Sequence, residues 1–312
     1  MDRKIKMADV KAAVSEIYDK YKNSVEGTAD PKSVGENGGK FGISVYLANG
    51  NKINIGDTDA KFPMMGMCRI PVALQLLTQM NVCDLVEKMG IGKKCRCKIK
   101  GTPDEKLKKV HAHGVCAVSL VEPVGDYDGK MEILSNLMVD LMGTSPVLDD
   151  DLYKSAQQYN IDNDVINTLA ANDIEIFDSS EIAVDLYARL RSMRVTTEQL
   201  AEMGATIAAD GKNPDTLQSV FDGTLSATIC AMMAAKGPKK MGKQWLIMTG
   251  TPAMSSMSGG FVAVIPGFGS IAAFSPEIND VKIPVKAAKA VKDILCQLQL
   301  NAFASARVDV AD

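Results

Sequence analysis

Several groups of side chains in this 312-residue sequence have types and spacings that invite chemistry. His111 and His113, the only two histidines, stand two residues apart in VHAHGVCAVSL. Read as a strand, that spacing puts both imidazoles on one face, where they could form a metal pair or a pH-sensitive patch. No acidic third ligand accompanies them, so no metal site is predicted. Cys95 and Cys97, in KKCRCKIKG, lack the second ligand pair of a zinc site and read as free thiols. The basic run around them continues through Lys106, Lys108 and Lys109 but is interrupted by Asp104 and Glu105. With no interleaved aromatic residues to stack on bases, it reads as a solvated loop. The segment FPMMGMCRIP brings Gly66, Cys68 and Arg69 together. Cys68 lies two residues after Gly66, roughly 200° around a helix, and reads as a buried core thiol.

The composition frames these groups. Hydrophobic residues make up 46% and charged residues 23%, with a formal net charge of −3. That balance gives no electrostatic reason to expect nucleic acid or an anionic membrane as a partner. The opening MDRKIKMADVKAAVSEIYDKY lacks the apolar core of a secretory signal and reads as an amphipathic helix. The apolar stretch FVAVIPGFGSIAAF is broken at Pro266-Gly267 and reads as two buried strands, not a membrane span. Seven cysteines, an odd number, suit reduced thiols and a cytoplasmic setting. The 18 methionines read as adaptable core fillers.

The elements that must position these groups follow from periodicity. Apolar spacing predicts a helix over 7–24, and alternation around Asn49-Gly50 predicts a hairpin of strands at 41–48 and 52–56. Helices are predicted near 70–89, 131–143, 163–171, 180–193 and 197–209, the last ending at the turn ADGKNPD. Beyond Gly242, QWLIMTGT, GGFVAVIPG and FGSIAAFSPEI read as three strands, and a helix over 285–300 closes the chain. The order predicts an α+β fold, with one antiparallel sheet built from both chain ends. Residues 1–60 and 240–312 would form the sheet subdomain and residues 61–239 a helical insertion. Pro71 leaves open a later start for the helix near 70.

Three segments carry a resemblance. GDTDAKFPMMGMCRIPVALQLL (56–77), LYARLRSMRVTTEQLAEMGATIAADGKNP (186–214) and GTPAMSSMSGGFVAVIPGFGSIAAFSPEIND (250–280) are similar, in order and spacing, to segments of the serine-dependent, bacterial-type glutaminases. That family belongs to the penicillin-binding-protein and β-lactamase-like superfamily. The resemblance implies a cleft between an α/β part and a helical part, and a homo-oligomer. Gly66 stands at the position of the nucleophilic serine and Arg69 at that of the activating lysine. His111 matches a family asparagine, and Ala156 replaces the binding glutamate while Asn163 matches its partner asparagine. Tyr187 matches a retained cleft tyrosine. Ile247 replaces a second tyrosine and Met254 a lysine, leaving Ser255 and Ser256 as the nearest polar side chains.

Glycine offers no nucleophile, and arginine stays protonated and cannot accept a hydroxyl proton. The expectation is therefore a glutaminase-like protein that binds a small ligand, anionic at one end and apolar in its body, without hydrolysing glutamine. Its site would comprise Gly66, Arg69, His111, Asn163, Tyr187, Ile247, Met254, Ser255 and Ser256, with no metal or other cofactor. Alternatives are an enzyme turned to another reaction through Arg69, His111 or Tyr187, a residual amidohydrolase, and a scaffold with a filled cleft.

Overall fold

In chain order the elements are β1 (Arg3–Lys6), α1 (Met7–Tyr21), β2 (Thr28–Ala29), β3 (Gly42–Leu47), β4 (Lys52–Gly56) and β5 (Phe62–Pro63). A 3-10 turn, Met65–Cys68, leads into α2 (Arg69–Gln79) and α3 (Val82–Lys88). Then come α4 (112–119), α5 (Tyr127–Met142), β6 (Val147–Leu148), α6 (Asp150–Asp162), α7 (Val165–Ala170) and α8 (Ser180–Arg191). The chain continues through β7 (Met193–Val195), α9 (Thr197–Ala208), α10 (Thr224–Lys236), α11 (Gly242–Thr249) and β8 (Ala253–Ser255). It ends with β9 (Gly260–Ile265), β10 (Gly269–Phe274), β11 (Glu277–Ile278), α12 (Val285–Gln297) and β12 (Val308–Ala311). This computed structural model describes residues 3–29, 37–89, 112–162, 164–171, 175–304 and 308–311.

Contacts divide the chain into two compact units. The first comprises Met1–Met67, Met138–Pro146 and Arg194–Asp312, and the second Cys68–Leu137 and Val147–Met193. At the centre of the first is a five-stranded antiparallel sheet in the order β4-β3-β10-β9-β8. The two ends of the chain do meet in one sheet, as the α+β reading expects. Gly50 supplies the left-handed turn of the β3–β4 hairpin at φ +89°.

Strand alternation sends successive side chains to opposite faces. Ile43, Val45, Phe261, Ala263, Ile271 and Ala273 join one apolar cluster with Val10, Val14 and Ile17 of α1 and Ala290, Val291 and Ile294 of α12. On the other face lies α9, so close that a Cβ at Gly204 would come within 2.6 Å of Ser270 Cβ. The Ser270 hydroxyl donates to the Ala201 carbonyl of the same helix. Both faces are thus covered, and β3, β9 and β10 are buried at every position. That is why they read as unbroken apolar runs, whereas the edge strand β4 alternates.

Three expectations are corrected. Helix α9 and residues 209–239 belong with the sheet and not with a helical block over 61–239, because α9 is the second layer on the sheet. QWLIMTGT is not a strand: Gly242–Thr249 is helical, closed by Gly250 in the left-handed region at φ +61°. Residues 112–119 of VHAHGVCAVSL are also helical, so the strand reading that would pair two histidines on one face is lost.

The second unit is helical, and its interior includes charge. Lys130, on α5, is fully buried and sits 2.8 Å from Asp178. The Lys130 ammonium also donates to the Val121 carbonyl. Asp178 accepts from the backbone N–H of Gly125 at 3.0 Å and of Ser179 at 2.6 Å. Between α6 and α8, Asp185 accepts from the Tyr153 hydroxyl at 2.6 Å and from Gln157 at 2.8 Å. Among the described residues, no helix is long and apolar enough to cross a membrane.

Candidate functional site

In the first unit the turn bearing Gly66 is held against the β8–β9 hairpin. Strand β5 pairs with β7, Phe62 opposite Val195 and Pro63 opposite Arg194. The Pro63 carbonyl then accepts from the Ser258 hydroxyl, with Ser256 Oγ 3.5 Å away. Those two hydroxyls lie 2.5 Å apart, and the Ser258 N–H donates to Ser256 Oγ at 3.2 Å. Gly260 permits the approach: a Cβ there would fall 2.5 Å from the Phe62 ring and 2.7 Å from Met67 Cε. Phe62 in turn stacks on Phe274, ring centroids 4.4 Å apart. Chain is therefore anchored on both sides of Gly66.

Two features of this turn go beyond anchoring. Met65 adopts φ +49°, a left-handed conformation costing about 1–2 kcal/mol for a residue with a Cβ. Such strain persists only where the surroundings impose it, and it concentrates at functional sites. At Gly66 itself, a Cβ would meet nothing within 4 Å. Nearby in sequence to the anchoring serines, Ser255 Oγ is buried without a hydrogen-bond partner among the described residues. Met254 is half-buried on β8, an edge strand.

In the second unit, Arg69 opens α2 and donates from Nη2 to the Tyr187 hydroxyl at 3.0 Å. Pro71 falls in the first turn of α2, where its missing N–H has no helical partner to lose, so the helix is not delayed. Tyr187, on α8, is 3% exposed. A Cβ at Gly114 would collide with its ring, so glycine makes room for the phenol. The Arg191 guanidinium lies 5.6 Å from the ring centroid. A guanidinium only donates, so the phenol oxygen must accept from Arg69 and turn its own proton toward another acceptor. Burial pushes the Cys68 thiol up to about 11, against the pull of Arg69 and Arg191, so it is not a thiolate at neutral pH.

The other sequence-derived positions fare differently. Ile247 is 86% exposed and dries no pocket. In a helix it lies two residues, roughly 200°, from Trp245, which is buried in α11 along with Gly242 and Thr249. His111 and Asn163 lie outside the described residues. Among the described residues no group of three or more His, Cys, Asp or Glu could hold a metal ion. Sequence reasoning passed over Ser258, Met65, Gly114 and Arg191. The i, i+2 spacing of Ser256 and Ser258 beside two glycines was a usable signal for a hydroxyl-lined turn, whereas nothing local marks Gly114 as the seat of Tyr187.

Comparison with known proteins addresses the whole chain. A family model described as Glutaminase matches residues 32–303. The chain is 34% identical to a protein named Glutaminase from Parabacteroides distasonis and 35% identical to one from Bacteroides thetaiotaomicron, each alignment covering 100% of both chains. A solved structure described as a probable glutaminase, ybaS, superimposes with a TM-score of 0.85 at 23% identity, over 96% of this chain and 100% of that one. The Bacillus subtilis glutaminase YbgJ, in a covalent complex with 5-oxo-L-norleucine formed by reaction with 6-diazo-5-oxo-L-norleucine, does so with a TM-score of 0.78 at 19% identity. These cover 95% of this chain and 99% of that one.

The fold is thus of the glutaminase and β-lactamase-like kind. The expectation of a pseudoenzyme that binds a ligand without hydrolysing glutamine is overturned, and with it the leaning against amidohydrolase activity. Relatives similar from end to end carry the name of the activity. The physical error lay in reading two positions as the whole reaction. Amide hydrolysis needs an attacking oxygen and stabilised charge, and a side-chain hydroxyl at one position is only one way to supply the oxygen. The chain belongs to the glutaminase family.

Proposed function

We propose that this protein is a glutaminase, hydrolysing the side-chain amide of free glutamine to glutamate and ammonia. The observation that carries the reading is end-to-end identity of 34–35% with proteins of that name. The groups described above suit the substrate. Within the second unit, the Arg69 guanidinium and the Tyr187 phenol are groups of the kind that stabilise an oxyanion as an amide carbonyl is attacked. The substrate is a small molecule. A reducing, cytoplasmic setting belongs to the same proposal, supported by free thiols at Cys68, Cys83, Cys116, Cys230 and Cys296.

The test is direct. Purified protein incubated with glutamine should release glutamate and ammonia in equal amounts, faster than it attacks asparagine. Ammonia release no faster than in buffer, across a range of protein and substrate concentrations, would sink the proposal.

A further inference from the structure

We infer that this chain hydrolyses its amide without a covalent intermediate at the Gly66 turn, a water molecule attacking from the open space beside Gly66. The inference rests on the proposed glutaminase activity and goes beyond it, to the identity of the attacking group. Four observations point the same way. Position 66 carries no side chain, and the space a Cβ would enter is open to 4 Å. The residue before it is held at φ +49°, so the surroundings impose this backbone shape. The anchors on either side, through Pro63 and Met67, keep the turn pressed to the β8–β9 hairpin. Of the neighbouring hydroxyls, Ser258 is committed to the Pro63 carbonyl and Ser256 to Ser258, while Ser255, without a partner among the described residues, is 5% exposed. Ser256 and Ser258 are about 1% exposed, so all three hydroxyls are buried away from an incoming substrate. Cys68, two residues on, is equally buried and carries a protonated thiol.

The step balances with water alone. One O–H bond of water breaks as its oxygen bonds to the amide carbon, the C–N bond breaks, and the proton leaves with nitrogen as ammonia. The carbonyl carbon becomes the carboxyl of the acid, and nothing is oxidised or reduced.

The experiment uses 6-diazo-5-oxo-L-norleucine, the reagent that forms a covalent complex with the Bacillus subtilis protein. The unaltered protein should release ammonia from glutamine yet gain no mass after incubation with the reagent, read by intact-protein mass spectrometry. Gly66→Ala, which the open space admits, should keep its melting temperature while losing at least tenfold in ammonia release, because the methyl group occupies the water's place. Gly66→Ser combined with Arg69→Lys should acquire the adduct at position 66. Turnover by the unaltered protein together with an adduct mapped to the Ser255–Ser258 peptide or to Tyr187 overturns the inference and leaves the proposed function standing. Full activity in Gly66→Ala overturns it likewise. Failure of the unaltered protein to release ammonia overturns the proposed function, and this inference falls with it.

Discussion

The two units bury charge to different degrees. The first buries its sheet on both faces under α1, α12 and α9, with buried hydroxyls such as Ser256, Ser258 and Ser270 and one longer ion pair, Lys286 with Glu277 at 3.8 Å. The second seals a full ion pair, Lys130 with Asp178, inside a helical bundle, and links α6 to α8 through the carboxylate of Asp185. Apolar packing is insensitive to pH and salt, whereas a buried charge is stable only while its partner is present and ionised. The closer and more deeply buried of these ion pairs thus lies in the second unit.

The sharpest way to break that contrast is Lys130→Met. Removing one member of a fully buried pair leaves Asp178 charged without its cation, at a cost of about 3 to 5 kcal/mol. Replacing both members, Lys130→Met with Asp178→Leu, should recover most of that loss, because an apolar pair of similar volume avoids the desolvation cost. Urea unfolding of the three proteins measures both effects. If the single and double variants are equally unstable, the pair is not the element that matters and the contrast between the units weakens.

Much of the architecture was legible in the sequence because it rests on local rules. The hairpin at Asn49-Gly50, the closing helix and the apolar runs of β9 and β10 follow from turn chemistry and periodicity. The errors came where assignment depends on partners remote in sequence. An apolar eight-residue stretch such as QWLIMTGT fits a buried strand or a short helix equally well, and only the left-handed Gly250 behind it decides for the helix. The place of α9 depends on Gly204 meeting Ser270, which no window of sequence contains. At the site, Arg69 and Tyr187 were both named, yet their hydrogen bond and its glycine seat at Gly114 arise from three separate helices. The non-hydrolytic reading failed for a related reason: position-by-position loss says little about a reaction that several groups share.

A smaller effect, visible without mutation, is the pH profile. In the second unit, burial alone would raise the Asp178 carboxyl, but Lys130 and the N–H groups of Gly125 and Ser179 outweigh it and hold it below the usual range. A depressed carboxyl stabilises the fold fully above its unfolded value of about 3.9, and that stability is lost as pH falls through the lower folded value. In the first unit, burial raises the half-buried Glu202, against a hydrogen bond from Asn213. Its sign is opposite: the folded state takes up the proton first, so stability rises slightly as pH falls through the raised value. Asp293 of the first unit is also held low, against burial, by Lys20 and Tyr21, but its side chain is more exposed than that of Asp178, so hydrogen exchange should show the second unit opening first below about pH 4. Earlier loss of the sheet, with protection of α5 and α8 intact, would reverse the comparison.

The smallest expected effect is on thiol chemistry, and it separates shape from charge at single residues. Cys83 and Cys296 are exposed, whereas Cys68 and Cys230 are buried, one in each unit. Burial pushes Cys68 up to about 11 and Cys230 up to about 12. Cys68 has two arginines pulling its value down, and Cys230 has Asp210 raising it further, yet burial dominates in both. Native protein treated with iodoacetamide near pH 8 should therefore be labelled at Cys83 and Cys296 within minutes and left unmodified at Cys68 and Cys230. Peptide mapping reads each site separately, and ammonia release from glutamine should be unchanged by the labelling. Rapid modification of Cys68 with loss of ammonia release would mean that the arginines beside it outweigh burial, and that a thiolate does stand next to the Gly66 turn.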